Sequence, residues 1–236
     1  ENLKKQRYTI IYPEEGKLAS LHVGKGRLAN LNDIMNGIRK LFTKNLILDK
    51  NKILITAGPT HESIDPVRFI TNRSSGKMGY SLAKSAKDFG GSVTIISGPV
   101  NIEKVSGVEY IDIQSAQDMA EALDSQIKEN SFDLIFMAAA VSDYTPINYT
   151  NQKIKKYDEI HTLELKKTID IMSDIVSKSD AIKIAFALET ENGVQNAKNK
   201  MKSKKADYII LNYANEEGAG FESDTNHIYI YSKSGD

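Results

Sequence analysis

An apolar run, Ile53-Leu54-Ile55, passes directly into the small-residue turn Thr56-Ala57-Gly58-Pro59-Thr60, and no other feature limits the fold as much. A run that short, without polar alternation and bounded by a turn, suits a strand buried on both faces of a parallel sheet. Gly58 lets backbone N–H groups approach an anion with no side chain in the way. Further on, Ser74-Ser75-Gly76-Lys77-Met78-Gly79 leads into a helical stretch beginning at Tyr80. Hydroxyls and glycines at a helix N-terminus supply donors and a positive dipole end, which suits phosphate. Sheet packing accounts for the strand and the helix. It does not account for the long polar connection between them, where a few residues would do. A functional loop is therefore expected.

The loop fits neither common phosphate-binding fingerprint. A GxxxxGK[ST] pattern fails because Met78 follows Gly76-Lys77 and Thr71 stands where the first glycine belongs. GxGxxG fails because Gly58 is alone after its strand.

From Lys52 onward apolar runs alternate with helical patterns. Strands are expected at Ile53–Thr56, Val93–Ser97, Val108–Ile113, Phe132–Ala139, Ile182–Ala187, Tyr208–Leu211 and Ile228–Tyr231. Helices are expected near Lys77–Phe89, Ala116–Lys128, Asp170–Lys178 and Gly193–Lys205, with Ser115 and Asp118 as a capping pair. This alternation predicts an α/β, Rossmann-like, doubly wound and mostly parallel sheet. Between Asp143 and Lys167 the rhythm breaks. Lys153-Ile154-Lys155 and Thr162 to Lys166 alternate polar and apolar residues, which predicts a protruding β-hairpin.

Residues 1–49 read differently, and a division into 1–49 and 50–236 is expected. Tyr8–Tyr12 could form a strand and Pro13–Gly16 a turn. Asn32 to Phe42 has helical spacing, with Ile34, Ile38 and Leu41 on one face and Asn32 as cap. The chain begins with Glu1, which suggests a fragment or a processed product.

Lys+Arg and Asp+Glu each total 31. No global field draws the chain to nucleic acid or membrane, so neither is an expected partner. The absence of cysteine rules out disulfides, thiolate metal sites and a cysteine nucleophile. No apolar stretch approaches a membrane span and no secretory signal opens the chain, so it reads as cytoplasmic. The four histidines show no ligand spacing, and no metal ligands can be named.

Three further features carry candidate chemistry. Strand Phe132–Ala139 runs into Ala138-Ala139-Ala140, leaving space where such sheets bind ligands, and Asp143 follows. A packed strand end with Asp143 as turn former is the plainer alternative. Lys153, Lys155 and Lys156 concentrate charge where a solvated edge strand would also place it. Lys198, Lys200, Lys202, Lys204 and Lys205 crowd one helix, and Lys200 and Lys204 share a face. Like charges there repel unless an anion lies between them, although a solvated helix is equally consistent. Phe186 would by default be core.

The combination ITAGPT, IDPVR, SSGKMG, AAAVSDY and KIKK resembles bacterial phosphopantothenoylcysteine synthetase, the phosphopantothenate–cysteine ligase of coenzyme A synthesis. The likeness runs from about Lys52 to the end. The first 49 residues resemble a short remnant, the tail of the flavin-dependent decarboxylase usually fused in front, with Ser20 where that enzyme has a cysteine. The resemblance implies CTP as co-substrate, Mg2+, 4′-phosphopantothenate and L-cysteine as substrates, a homodimer and no bound flavin. Asn72 is then the catalytic hydrogen-bond donor to the acyl group, with Ala139 and Ala140 beside the substrate. Gly58, Ser74, Ser75, Gly76, Asp143, Phe186, Lys200 and Lys204 would hold the nucleotide. Lys153 would belong to a dimerisation flap, reach a nucleotide site and take part in catalysis. The stretch Gly220–Asn226 would form a loop over the site. The family usually continues with another strand and helix beyond the last strand here. Two other readings stay open: a nicotinamide-dependent oxidoreductase on the same kind of sheet, and a non-catalytic binding fragment.

Overall fold

The computed structural model describes residues 3, 8–18, 22–42, 46–155, 162–216 and 225–234. The chain divides into two compact units, Glu1–Ile47 and Leu48–Asp236.

In the first unit, β1 (Glu14–Lys17) pairs antiparallel with β2 (Val23–Arg27), and α1 (Leu31–Phe42) follows. The strand expected at Tyr8–Tyr12 is not formed. Pro13 has no N–H to offer a ladder, and pairing begins one residue beyond it, in the stretch expected to turn. The cap of α1 is Asn30, whose side chain accepts from Asn32 N–H, rather than Asn32 itself.

In the second unit the expected alternation appears. It comprises β3 (Lys52–Ala57), β4 (His61–Ser63), β5 (Phe69–Thr71), α2 (Lys77–Asp88), β6 (Ser92–Ser97), β7 (Glu109–Asp112) and α3 (Ala116–Glu129). Then come β8 (Leu134–Met137), β9 (Tyr144–Pro146), β10 (Leu165–Lys167), α4 (Ile171–Asp174), β11 (Ile182–Glu189), α5 (Gly193–Ser203), β12 (Tyr208–Tyr213) and β13 (Tyr229–Ser232). Seven strands form one sheet in the order β13-β12-β11-β8-β3-β6-β7, parallel throughout except for β13 at its edge. This is the mostly parallel, Rossmann-like α/β sheet that the sequence predicts.

Alternate residues of β3 explain why it reads as continuously apolar. Ile53, Ile55 and Ala57 pack with Tyr80, Ala83 and Ala86 of α2 on one face. Leu54 joins Met119 and Leu123 of α3 and Met201 of α5 in the core on the other face. A Cβ added at Gly79 would meet the Ala57 Cβ at 2.5 Å, so this glycine sets how closely α2 lies on the sheet. Ser115 and Asp118 form the expected reciprocal capping box of α3.

The middle segment departs from expectation. β10 pairs with β9, and Lys153–Lys155 form no strand. The backbone of Ile154 is instead hydrogen-bonded to Asp65 and Arg68, which removes it from any ladder. Lys156 and the residues up to 161 lie outside the described residues. The helix expected over Asp170–Lys178 is split into α4 and a 3-10 turn, Val176–Lys178. Among the described residues no helix is long and apolar enough to cross a membrane.

Candidate functional site

After β3 the chain builds β6 and β7 on one side and returns to place β8 on the other. The carboxyl ends of β3 and β8 thus lie where the strand order reverses, the usual ligand position in open α/β sheets. A cleft of about 1450 Å³ opens there.

One wall is neutral and made largely of backbone. Ala138, Ala139 and Ala140 line it and carry no bulk into the opening. Thr56 Oγ1 accepts from Ala139 N–H at 3.1 Å, the Gly58 carbonyl from Ala140 N–H at 2.9 Å, and Thr60 Oγ1 from Ser142 N–H at 3.0 Å. Asn72 closes the wall. Its Nδ2 donates to the carbonyls of Ala140 at 3.1 Å and Val141 at 3.0 Å. Both amide hydrogens are therefore occupied, and donation to an acyl oxygen requires releasing one carbonyl. Gly58 lies behind this wall, not on its surface. A Cβ on Gly76 would stand 3.4 Å from the Gly58 Cα, so the two turns are packed back to back.

The loop from Arg73 to Met78 forms the rim. Gly76 has φ +79°, a conformation that glycine adopts without strain. Ser74 Oγ accepts from Gly76 N–H and Ser75 Oγ from Lys77 N–H, so the two hydroxyls brace the loop that opens α2.

The opposite wall is cationic. Lys200 and Lys204 face the cleft from α5 and its C-cap, while Lys198 turns away over the Tyr231 ring. Lys204 Nζ contacts Asp170 Oδ2 at 2.5 Å, and Lys200 Nζ donates to the Phe186 carbonyl at 2.8 Å. The sequence treats Asp170 only as the start of a helix. It is that cap, accepting from Ser173 N–H, and also the counter-ion of Lys204. Burial pushes the Asp170 carboxyl up, but hydrogen bonds from Lys204 and Ser173 outweigh it and hold the group below its ordinary range. Lys200 remains open to the cleft, yet loss of water around its ammonium pushes its pKa down, against the opposing pull of Glu189. Asp143 and half-buried Phe186 line the same region. In all, Arg73, Lys77, Lys84, Lys167, Lys200 and Lys204 line the cleft with Glu103, Asp143 and Asp170. That excess of cations suits a polyanion.

The structure therefore brings together Asn72, Ser74, Ser75, Gly76, Ala139, Ala140, Asp143, Phe186, Lys200 and Lys204. Lys153 is exposed and does not line this cleft. Thr225 and Asn226 line it, whereas 220–224 lie outside the described residues. Lys84 and Lys167 are not nominated by the sequence, because Lys84 is one of several polar residues on α2 and Lys167 follows Lys166 at the end of a short strand. No group of three or more His, Cys, Asp or Glu side chains that could hold a metal ion is found among the described residues.

Comparison with known proteins identifies the family of the chain. The profile of the DNA/pantothenate metabolism flavoprotein C-terminal domain matches residues 48–236. The chain belongs to that family. It is 43% identical over 232 residues to the coenzyme A biosynthesis bifunctional protein CoaBC of Bacillus subtilis, covering 97% of this chain and 57% of that protein. A cysteine/cysteine sulfinic acid decarboxylase of an unknown prokaryotic organism is 40% identical, over 98% of this chain and 66% of its own length. The chain thus spans between half and two thirds of these two relatives. The crystal structure of the C-terminal domain of a CoaBC protein superposes with a TM-score of 0.67 at 37% identity, covering 82% of this chain and 86% of that one.

These findings correct the expectation drawn from the motifs. The family shown is the flavoprotein C-terminal domain, shared with bifunctional proteins, not a synthetase family with a remnant attached. An alignment covering 97% of this chain must take in most of the first 47 residues too, so they belong to the shared length.

Proposed function

We propose that this member of the flavoprotein C-terminal domain family is an enzyme of coenzyme A biosynthesis that joins 4′-phosphopantothenate to L-cysteine at the expense of CTP. The pairing of a neutral, backbone-lined wall with a cationic wall across one cleft carries this reading. An activated acyl transfer needs both surfaces, one to orient the reacting carboxylate and one to receive the triphosphate. The relatedness to coenzyme A biosynthesis bifunctional proteins supports the same substrate class.

In this scheme the substrate carboxylate attacks the α-phosphorus of CTP, forming the acyl-cytidylate and expelling pyrophosphate. The cysteine amine then attacks the acyl carbon, the C–O bond to the nucleotide breaks, and CMP leaves with the amine proton passing to solvent. Lys200 and Lys204 neutralise the phosphates, Phe186 borders the base, and Asn72 with Ala139 and Ala140 fixes the acyl end. Among the described residues no group of three or more His, Cys, Asp or Glu side chains could hold a metal ion, so Mg2+ would enter with the nucleotide phosphates. The first 49 residues are proposed to bind no flavin.

We also infer that a homodimer is the working unit. Lys153 lies outside the cleft of its own chain, and the nearby hairpin leaves Tyr144, Ile147, Tyr149 and Leu165 exposed. A second copy would cover that apolar surface and receive the lysine.

Pyrophosphate release tests the reaction. It is expected only when CTP and phosphopantothenate are both present, with CMP following on addition of cysteine. Release that ignores phosphopantothenate, or equal rates with ATP, would defeat the assignment.

A further inference from the structure

Asp65 is a carboxylate whose side chain has no solvent exposure, and the reaction scheme gives it no part. It lies in the turn between β4 and β5, the hairpin whose second strand runs into Asn72. Its oxygens are fully engaged. Oδ1 accepts from the backbone N–H groups of Val67 and Arg68, both at 2.8 Å. Oδ2 accepts from Arg68 Nε at 3.0 Å and Nη2, and from Ile154 N–H at 3.1 Å. Arg68 Nη2 also donates to the Ile154 carbonyl at 3.1 Å. Ile154 is thus held on both sides of its backbone by one ion pair located 86 to 89 positions earlier in the chain. A second stitch lies close by, where Thr150 N–H donates to the Ile64 carbonyl at 3.3 Å.

These bonds are more than a turn requires. An Asx turn is complete with the Val67 and Arg68 N–H groups, and a surface Arg68 would satisfy the charge. The bonds to Ile154 instead tie the residue next to Lys153 to the hairpin that delivers Asn72. We propose that Asp65 is a positioning residue, fixing the backbone at Ile154 through its own carboxylate and through Arg68 so that Lys153 is presented in a set place relative to Asn72. The inference rests on the reading that Lys153 serves a nucleotide site, in its own chain or in a second copy.

The test uses the full chain and two readouts. In Asp65→Asn, hydrogen exchange at the Ile154 amide is expected to become roughly five- to tenfold faster while exchange in β3 and β8 is unchanged. Nucleotide-dependent pyrophosphate release is expected to fall roughly 10- to 100-fold, as a misplaced group costs. Combining Asp65→Asn with Lys153→Ala should then be no slower than Lys153→Ala alone, because a positioning residue loses its effect once the positioned group is gone. Multiplying losses, or an unchanged Ile154 amide, would overturn the proposal. Should Asp65→Asn fail to fold, Arg68→Lys keeps the charge and loses the fork, and the same two readouts decide. Full activity in Lys153→Ala with a faster Ile154 amide in Asp65→Asn would sink the role given to Lys153, and the positioning role with it, while leaving the clamp in place. That outcome is distinct from multiplying losses, which leave the Lys153 reading standing.

Discussion

The two walls of the cleft are built on opposite plans. On the Ala140 side, polar side chains from Thr56, Thr60 and Asn72 are committed to backbone groups, and the strand end has nowhere else to go. On the Lys204 side, charges hold partners that an incoming anion could replace, a half-exposed Asp170 for Lys204 and a peptide carbonyl for Lys200. The first arrangement is preorganised, and Asn72 exchanges one of its two backbone carbonyls for the acyl oxygen on reaction. The second is a set of provisional contacts awaiting a stronger anion. Orientation of an acyl group is better served by the former, and capture of a polyphosphate by the latter.

The largest effect should come from the fixed wall. Asn72→Ala is expected to cut turnover by about 10²–10³, the usual loss for one preorganised donor in an acyl-transfer site. Binding of CTP should stay within a few-fold and thermal stability close to wild type, since Asn72 is exposed. If the variant instead loses CTP affinity at unchanged turnover, the two walls do not divide the work as described.

The cationic wall should respond in affinity. Removing one charge-assisted contact in Lys204→Ala should weaken CTP binding by about tenfold or more, with a steeper loss at low salt. Asp170→Asn probes the same pair from its other side. If the carboxylate only stands in for phosphate, its removal should tighten CTP binding by a few-fold, matching the modest energy of a partly exposed pair. Calorimetric titration of both variants settles the sign. Weaker binding in Asp170→Asn would mean that Asp170 aims Lys204 rather than blocking it.

The sequence was informative where structure is set by short-range pattern. β3 and β6 are legible because parallel strands covered on both faces must be apolar along their length. α3 is legible because Ser115 and Asp118 cap it within four residues. Gly76 could be nominated because it opens a helix, and Lys200 and Lys204 because they share a helix face, whereas Phe186 is named only through the family resemblance. What escaped detection depends on long-range contacts. β4 and β5 are three residues each and show no periodicity, so only their docking defines them. Lys153–Lys155 alternate like a strand, but the buried Asp65 and its partner Arg68, far back in the chain, take the backbone of Ile154 first. Asp65 and Arg68 stand in a visible Asp-Pro-x-Arg turn, yet nothing local reveals that the turn grips a second segment.

The smallest expected effect concerns the protonation of Lys200. Its folded-state pKa lies below the ordinary lysine value of 10.5, chiefly because burial disfavours the ammonium. Below the folded pKa the ammonium is carried in both states, and the cost of holding it in the folded chain is present in full. As pH rises from the folded pKa toward 10.5, the folded chain sheds this proton before the unfolded chain does. Over that alkaline window the cost is relieved, and Lys200 contributes a rise in stability with pH. Binding moves the opposite way, because a neutral amine no longer attracts phosphate, so CTP affinity should start to fall at a lower pH than for an ordinary lysine. Lys200→Arg keeps the charge through the same range. It should flatten the alkaline fall in affinity even if binding at neutral pH is weakened by the larger head group. Lys200 also stays open to the cleft, which lets water screen part of the effect and makes it the smallest of the series. A fall that persists unchanged in Lys200→Arg would assign the titration to another group and return Lys200 to the plain role of holding the Phe186 carbonyl.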